Sequence, residues 1–352
     1  MTTASTILVP TLVEPHAHLD KAFLAERVHN PTGDLMGAIN AMIEAAPSIT
    51  YDDIVERATR AALLMYANGV TAIRSHADTS ADDDMQSVRA LLHVRDSLRD
   101  QICIQVCALM HWPTTGDGGA ANRAALAEAI ELGVDVIGGC PHLEDEPEAS
   151  VDNFLATAAA ANLPIDLHTD ETLNPAMLTL EHLAKRVVAT GFRQPVTASH
   201  CVSLGMHSEH RQHQVAQLVA EAGIHVIALP HTNLFLQGRS HQQAMPRALT
   251  AVKALRDAGV NVAAGADNLQ DPFNPVGRGD PLETAALMVM SAHLLPEEAL
   301  YTVTTAARLA LGIGDDGSQL RIAAATVREA IAFGPAERAI VLRGEIRHEF
   351  QR

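Results

Sequence analysis

Aromatic side chains are scarce in this 352-residue chain: one tryptophan, three tyrosines and seven phenylalanines, 3% in all. Its core must therefore be built from alanine and branched aliphatic residues, and a 47% apolar content excludes general disorder. Positive charge is short as well. Asp and Glu number 42 against 25 Lys and Arg, a formal net charge of -17. That balance opposes non-specific binding to DNA, RNA or an anionic bilayer and favours a soluble monomer or homo-oligomer. No apolar run reaches the length of a membrane span, and the first ten residues lack both a basic region and a long apolar core. Neither secretion nor anchoring is expected, and the cytoplasm is the expected compartment. The four cysteines have no zinc-finger spacing, and Cys103 and Cys107 read as small buried hydrophobes in a reducing cytosol. A Gly-rich phosphate loop, a nucleophile elbow and a Cys-His pair are also absent.

What is present begins almost at once, in LVEPHAHLDKAF at 12–23. His16 and His18 are two apart after an apolar run, and an alternation of period two puts both imidazoles on one face of an extended segment. Neutral imidazole is a common ligand for a divalent metal. Further strand-like runs follow at 70–74, 102–110, 134–137, 165–167, 196–199, 224–229 and 260–265. Helical patterns separate them, at 51–68, 82–98, 122–132, 151–161, 177–189, 211–222 and 245–258. Eight strand–helix units predict an α/β fold, a (β/α)₈ (TIM) barrel, with a doubly wound open sheet as the competing architecture. The polar residues decide between them. His16/His18, His76/Asp78, His111, His142, His168/Glu171, His200, His231 and Asp267/Asn268 all fall at C-terminal strand ends, which converge on one mouth in a barrel and lie in a row in an open sheet. The barrel is assigned to residues 1–311, with a helix at 296–311 completing the outer ring. Residues 312–352 form a small β-rich appendage, with strand-like pieces at 319–323, 331–334 and 339–342.

His16, His18 and His168 can hold one divalent ion, with Asp267 as carboxylate ligand and a position left for water, as in a catalytic site. An ion there lowers the pKa of its water and polarises the bond to be attacked. Asp267 can also take the water's proton, and His200 can act as general base or electrophile. Glu171, three residues beyond His168, can shuttle protons to a ring nitrogen and a departing amine; hydrolytic deamination elsewhere uses a non-ligand glutamate in this way. Lys21 can place an ammonium near a carbonyl or anionic ring oxygen.

In combination, VEPHAHLDK, IRSHAD, IDLHTDE, VTASH, LQGR and AGADNLQDPFNPVGRGDPLE resemble the amidohydrolase superfamily. The likeness is to the branch containing bacterial cytosine deaminase and N-isopropylammelide isopropylaminohydrolase. It implies a distorted TIM barrel with a single Zn²⁺ or Fe²⁺ on His16, His18, His168 and Asp267, Glu171 as proton shuttle, and His200 helping to activate water. His111 beside Trp112 stands where cytosine deaminase has a pyrimidine-reading glutamine. Asn268 replaces a second aspartate, and Phe273 a ring-packing tryptophan. The expected substrate is accordingly a small amino-substituted pyrimidine- or triazine-like ring, read by Lys21, His111, Trp112, Asn268 and Phe273 and losing ammonia. An amidohydrolase cleaving a cyclic amide or an N-alkylamino substituent is the nearer alternative, and a non-catalytic ligand-binding barrel the farther one. The family's small β-sandwich draws strands from both chain ends. With about a dozen residues before His16, the N-terminal contribution is expected to be missing and the appendage reduced.

Overall fold

The computed structural model describes residues 5–82, 84–333, 337–342 and 344–351. Its strands are β1 (Ile7–Pro10), β2 (Leu12–Ala17), β3 (Val70–Thr79), β4 (Cys103–Met110), β5 (Val136–Gly139), β6 (Ile165–Thr169), β7 (Val196–His200), β8 (His225–Ala228), β9 (Val262–Ala264), β10 (Ser318–Ile322), β11 (Glu337–Leu342) and β12 (Glu345–Gln351). Strands β2 to β9 form one parallel sheet in chain order, with helices between them. This is the expected TIM-like barrel. Among the described residues no full ladder joins β2 to β9. The seam is bridged by backbone hydrogen bonds from His18 to Asp267 (3.0 Å) and from Asp267 to His16 (3.0 Å), and Glu14 accepts from the Ala266 N–H with both carboxylate oxygens at 3.1 Å.

Parallel strands covered by helices bury both faces, so alternation shows in which residues point inward rather than in polarity. Arg74 and His76 on β3, Asp166 and His168 on β6, and Thr197 and Ser199 on β7 are all buried in the barrel. Around it the helices present small residues, such as Ala58, Ala61 and Ala62 of Tyr51–Ala67, each fully buried. That is how a chain poor in aromatics closes its core.

The appendage departs from expectation. β1 pairs antiparallel with β10, Val9 opposite Leu320, so the N-terminal segment does contribute a strand, and the sheet runs β1-β10-β11-β12. Four residues sufficed for a strand that had looked too short to matter. The piece expected as a strand at 331–334 lies in a helix, Val327–Phe333, with Gly334 outside the described residues. The run expected as one helix at 296–311 is two, Pro296–Thr302 and Thr305–Ala310, interrupted at Thr304 (φ -125°, ψ -99°). The helix expected at 245–258 shortens to Val252–Asp257, since Ala248 adopts φ 53° and a right-handed helix cannot pass through it. Arg338 of β11 pairs bidentately with buried Asp280 (3.0 and 2.8 Å), which caps the start of helix Pro281–Ser291, and so fastens the small sheet to the barrel's outer helices.

Candidate active site

Four side chains from three places in the barrel wall meet at one point. His16 lies on β2 and His18 just past its end, His168 is on β6, and Asp267 follows β9; all are at most 6% exposed. His16 Nε2 and His18 Nε2 each lie 3.2 Å from His168 Nε2, and Asp267 Oδ1 is 3.5 Å from His16 Nε2 and 3.1 Å from His18 Nε2. A tetrahedral ion with bonds of ~2.0–2.1 Å separates its ligands by about 3.3–3.4 Å, which these edges match. Three ring nitrogens and a carboxylate oxygen crowded into a dry space oppose one another unless a proton or a cation sits among them. The donor set therefore fits a divalent ion.

The electrostatics point the same way. Burial, helped by the neighbouring imidazoles, pushes His168 well below the usual histidine range, and burial with the Lys21 charge lowers His18. Burial opposes the charge on Asp267, but the neighbouring imidazoles of His16, His18 and His200 hold its carboxyl well below the usual range. Neutral imidazoles and an ionised carboxylate are the forms that bind metal.

His200 ends β7, with Nε2 3.9 Å from Asp267 Oδ2. Its Nδ1 donates to Asn233 Oδ1 at 2.9 Å, which leaves the Nε2 lone pair facing the cluster. Burial drives this imidazole down to about 3, which favours its neutral form. Glu171 Oε1 lies 3.6 Å from His200 Nδ1. Burial, then the charge on Asp267, raises the Glu171 carboxyl well above the ordinary range, which favours its protonated form. Its loop is pinned by Asp170, whose buried carboxylate accepts from the backbone N–H of Thr179 (2.8 Å) and Leu180 (3.0 Å). Asp267 (φ 67°) and His200 (φ 69°) both occupy the left-handed region. Such backbone costs about 1–3 kcal/mol per residue and persists only where surrounding contacts hold it.

The residues expected around the substrate are less uniform. Lys21 is buried and its Nζ is 2.6 Å from Asp78 and 3.4 Å from His18 Nδ1. Next to the same Asp78 is His111, at 3.7 Å, half-buried and stacked with Trp112. These groups therefore gather beside the ligand cluster. Asn268 is buried with both amide atoms engaged, Nδ2 to Asp271 (2.8 Å) and Oδ1 from Thr232 (3.1 Å). Phe273, half-buried, follows on the same loop. His142 donates from Nδ1 to the His168 carbonyl (3.0 Å), and His231 meets Thr284 (3.2 Å).

Sequence reasoning passed over Glu14, Asp166, Ser199 and Asn233. Glu14, raised to about 8 by burial, sits under the site between His16 and Ala266. The signal was available for three of them: Glu14, Asp166 and Ser199 stand two before His16, two before His168 and one before His200, inside strands already assigned.

A model described as the amidohydrolase family matches residues 23–322. The chain belongs to the amidohydrolase family. It is a hydrolytic enzyme acting on carbon–nitrogen bonds, within a metal-dependent family. A pterin deaminase of Rhizobium rhizogenes is 35% identical over 313 residues, 88% of this chain and 71% of that protein. Among solved structures, 5-methylcytosine deaminase from Klebsiella pneumoniae with 5-fluorocytosine superposes with a TM-score of 0.90 at 29% identity, covering 100% of this chain and 90% of that one. N-isopropylammelide isopropylaminohydrolase from Burkholderia multivorans gives 0.81 at 28% identity, covering 97% and 86%. All three relatives are named for removing an amino or alkylamino group from a nitrogen heterocycle, in agreement with the sequence reading. Among the described residues no helix is long and apolar enough to cross a membrane.

Proposed function

We propose that this amidohydrolase removes an exocyclic amino group, as ammonia, from a small nitrogen heterocycle at an amidine-like carbon, with a pterin or aminopyrimidine as the leading substrate class. His16, His18, His168 and Asp267 would hold one Zn²⁺ or Fe²⁺. When bound, the ion polarises the carbon to be attacked and brings the pKa of a water towards neutrality. Asp267 Oδ2 and His200 Nε2, 3.9 Å apart, bracket the place where the attacking water loses its proton. Glu171 gives its proton to the ring nitrogen beside the carbon. The amine takes the proton that Asp267 and His200 drew from the water and leaves as the C–NH₂ bond breaks, and the remaining hydroxyl proton returns to Glu171. Water supplies the oxygen of the new ring carbonyl, so the reaction needs no oxidant or reductant. Lys21, His111 and Trp112, with Asn268 and Phe273 on the opposing loop, would read the ring edge. The compartment we assign is the cytoplasm, supported by four free thiols. We also assign a homo-oligomer, with the exposed apolar side chains Met290, Tyr301 and Leu309 of helices Pro281–Ser291, Pro296–Thr302 and Thr305–Ala310 as candidates for its contact.

The observation that carries the reading is Glu171: a buried carboxyl 3.6 Å from His200 and beside a complete ligand set of which it is not a member. A binding module has no use for that combination. N-alkylamine hydrolysis is favoured second, by the overlap with the isopropylaminohydrolase. One panel separates them. Pterin, cytosines, aminotriazines, N-alkylaminotriazines and simple lactams are assayed for ammonia and for alkylamine, with metal measured by elemental analysis. Ammonia from an amino-heterocycle at kcat/KM of at least ~10⁴ M⁻¹s⁻¹, with about one ion per chain, is the expected result. Alkylamine release or ring opening at that efficiency, with amino-heterocycles inert, overturns it.

A further inference from the structure

Below the four ligands a second layer of polar side chains crosses the barrel, and it ends on His16. Arg74 of β3 donates from Nη1 to Asp166 Oδ2 at 2.9 Å and to Thr197 Oγ1 at 3.2 Å. From Nε and Nη2 it donates to Gln105 Oε1, at 3.0 and 2.9 Å. The other oxygen of Asp166, Oδ1, lies 2.8 Å from Ser199 Oγ, and Ser199 Oγ lies 2.9 Å from His16 Nδ1. Arg74, Asp166, Ser199 and His16 are each at most 1% exposed, so no solvent competes for these bonds.

Donor and acceptor roles in this chain follow by elimination. Arg74 carries a permanent charge and can only donate, which makes Asp166 its anionic acceptor. An acceptor carboxylate obliges Ser199 to direct its hydroxyl hydrogen at Oδ1. The serine oxygen is then left to accept, and what it accepts is the Nδ1–H of His16. Only one neutral tautomer of His16 satisfies the sequence. Its proton is on Nδ1 and its lone pair is on Nε2, the atom that faces His168 and Asp267 at 3.2 and 3.5 Å.

We propose that Arg74, Asp166 and Ser199 form a positioning relay that fixes the tautomer and ring orientation of His16 and thereby sets metal affinity. The proposal rests on reading His16 as a ligand, and it assigns these three residues no contact with substrate. Losing the relay leaves His16 free to carry its proton on Nε2, where it blocks the ion, and free to rotate. Partners of this kind typically change metal affinity 10–100-fold. Thr197 supplies a control in the same layer, since its hydroxyl touches Arg74 and the Ala310 carbonyl but not His16.

The test is release of Zn²⁺ from zinc-loaded full-length protein to a chromophoric chelator, for the wild type, Ser199→Ala, Asp166→Asn, Thr197→Val and His16→Ala. The relay predicts a 10–100-fold weaker Kd for Ser199→Ala and Asp166→Asn, and a change below about 3-fold for Thr197→Val. If His16→Ala weakens binding while Ser199→Ala stays within 3-fold of wild type, the relay is wrong and the ligand reading stands. If His16→Ala holds zinc as well as wild type, both fall. Should Ser199→Ala not fold, ¹⁵N NMR of histidine-labelled wild-type protein decides. A protonated Nδ1 and unprotonated Nε2 on His16 support the relay, and the reverse assignment overturns it.

Discussion

Replacing Glu171 by Gln changes one proton and almost nothing else. The side chain keeps its length and shape in a site where its carboxyl is 6% exposed, so no cavity opens and the loop pinned by Asp170 has no reason to move. What disappears is a titratable carboxyl whose protonated form is favoured by burial and the Asp267 charge. A positioned acid–base group typically contributes 10²–10⁴-fold, so kcat should fall by at least ~100-fold, about 2.7 kcal/mol of barrier. KM should change much less, since an amide can still hydrogen-bond a ring nitrogen. Glu171 is absent from the ligand set, so metal content should stay at the wild-type value. The assay is steady-state ammonia release beside elemental analysis of the same preparations. Glu171→Asp, with the carboxyl withdrawn by one methylene, should fall between the two, because proton transfer demands hydrogen-bond reach. Loss of metal along with activity would make Glu171 a ligand, and a Gln variant within 10-fold of wild type would remove it from the chemistry; either result refutes the reasoning.

Other outcomes follow from the same geometry. Gly265→Ala places a methyl 2.5 Å from Glu14 Oε1, which cannot swing away without releasing the Ala266 and His16 backbone. A loss of about 1–3 kcal/mol in urea unfolding is expected, with weakened metal retention, and an unchanged variant would dismiss the Glu14 clasp. Arg338→Met removes the guanidinium that compensates buried Asp280, and should cost about 3 kcal/mol by thermal unfolding; a cost below 1 kcal/mol would mean that the small sheet is held by apolar contacts alone. Asp53 is held below the usual carboxylate range by Arg57 and Arg27, against partial burial. A depressed acid stabilises the fold above its unfolded pKa of about 3.9 and loses that contribution as pH falls through the folded value. Asp53→Asn should therefore lower stability by about 1 kcal/mol at pH 7 and have no effect well below pH 4; a difference that persists in acid would argue against the ion pairs.

The rhythm of strands and helices, and the place of His16, His18, His168, Glu171, His200 and Asp267 at strand ends, were legible in the order of residues. Those features rest on local rules: period two along a strand, a helix between parallel neighbours, and polar groups where a strand ends. Tertiary structure alone decided which distant groups pair. Strand β1 joins β10 across more than 300 residues, and Glu14 reaches Ala266 because the last strand of a barrel returns to the first. Asn268 and Lys21, both read from sequence as free to meet a substrate, have partners at Asp271 and Asp78 that no spacing rule connects. The Arg74–Asp166–Ser199 chain was hidden for a related reason. Period two along each strand turns Arg74 inward with His76 and Asp166 inward with His168, but that spacing does not say which residue of another strand either one meets. Barrel closure sets which residues share a layer, and sharing a layer is what turns three unremarkable polar residues into one hydrogen-bonded line ending at His16.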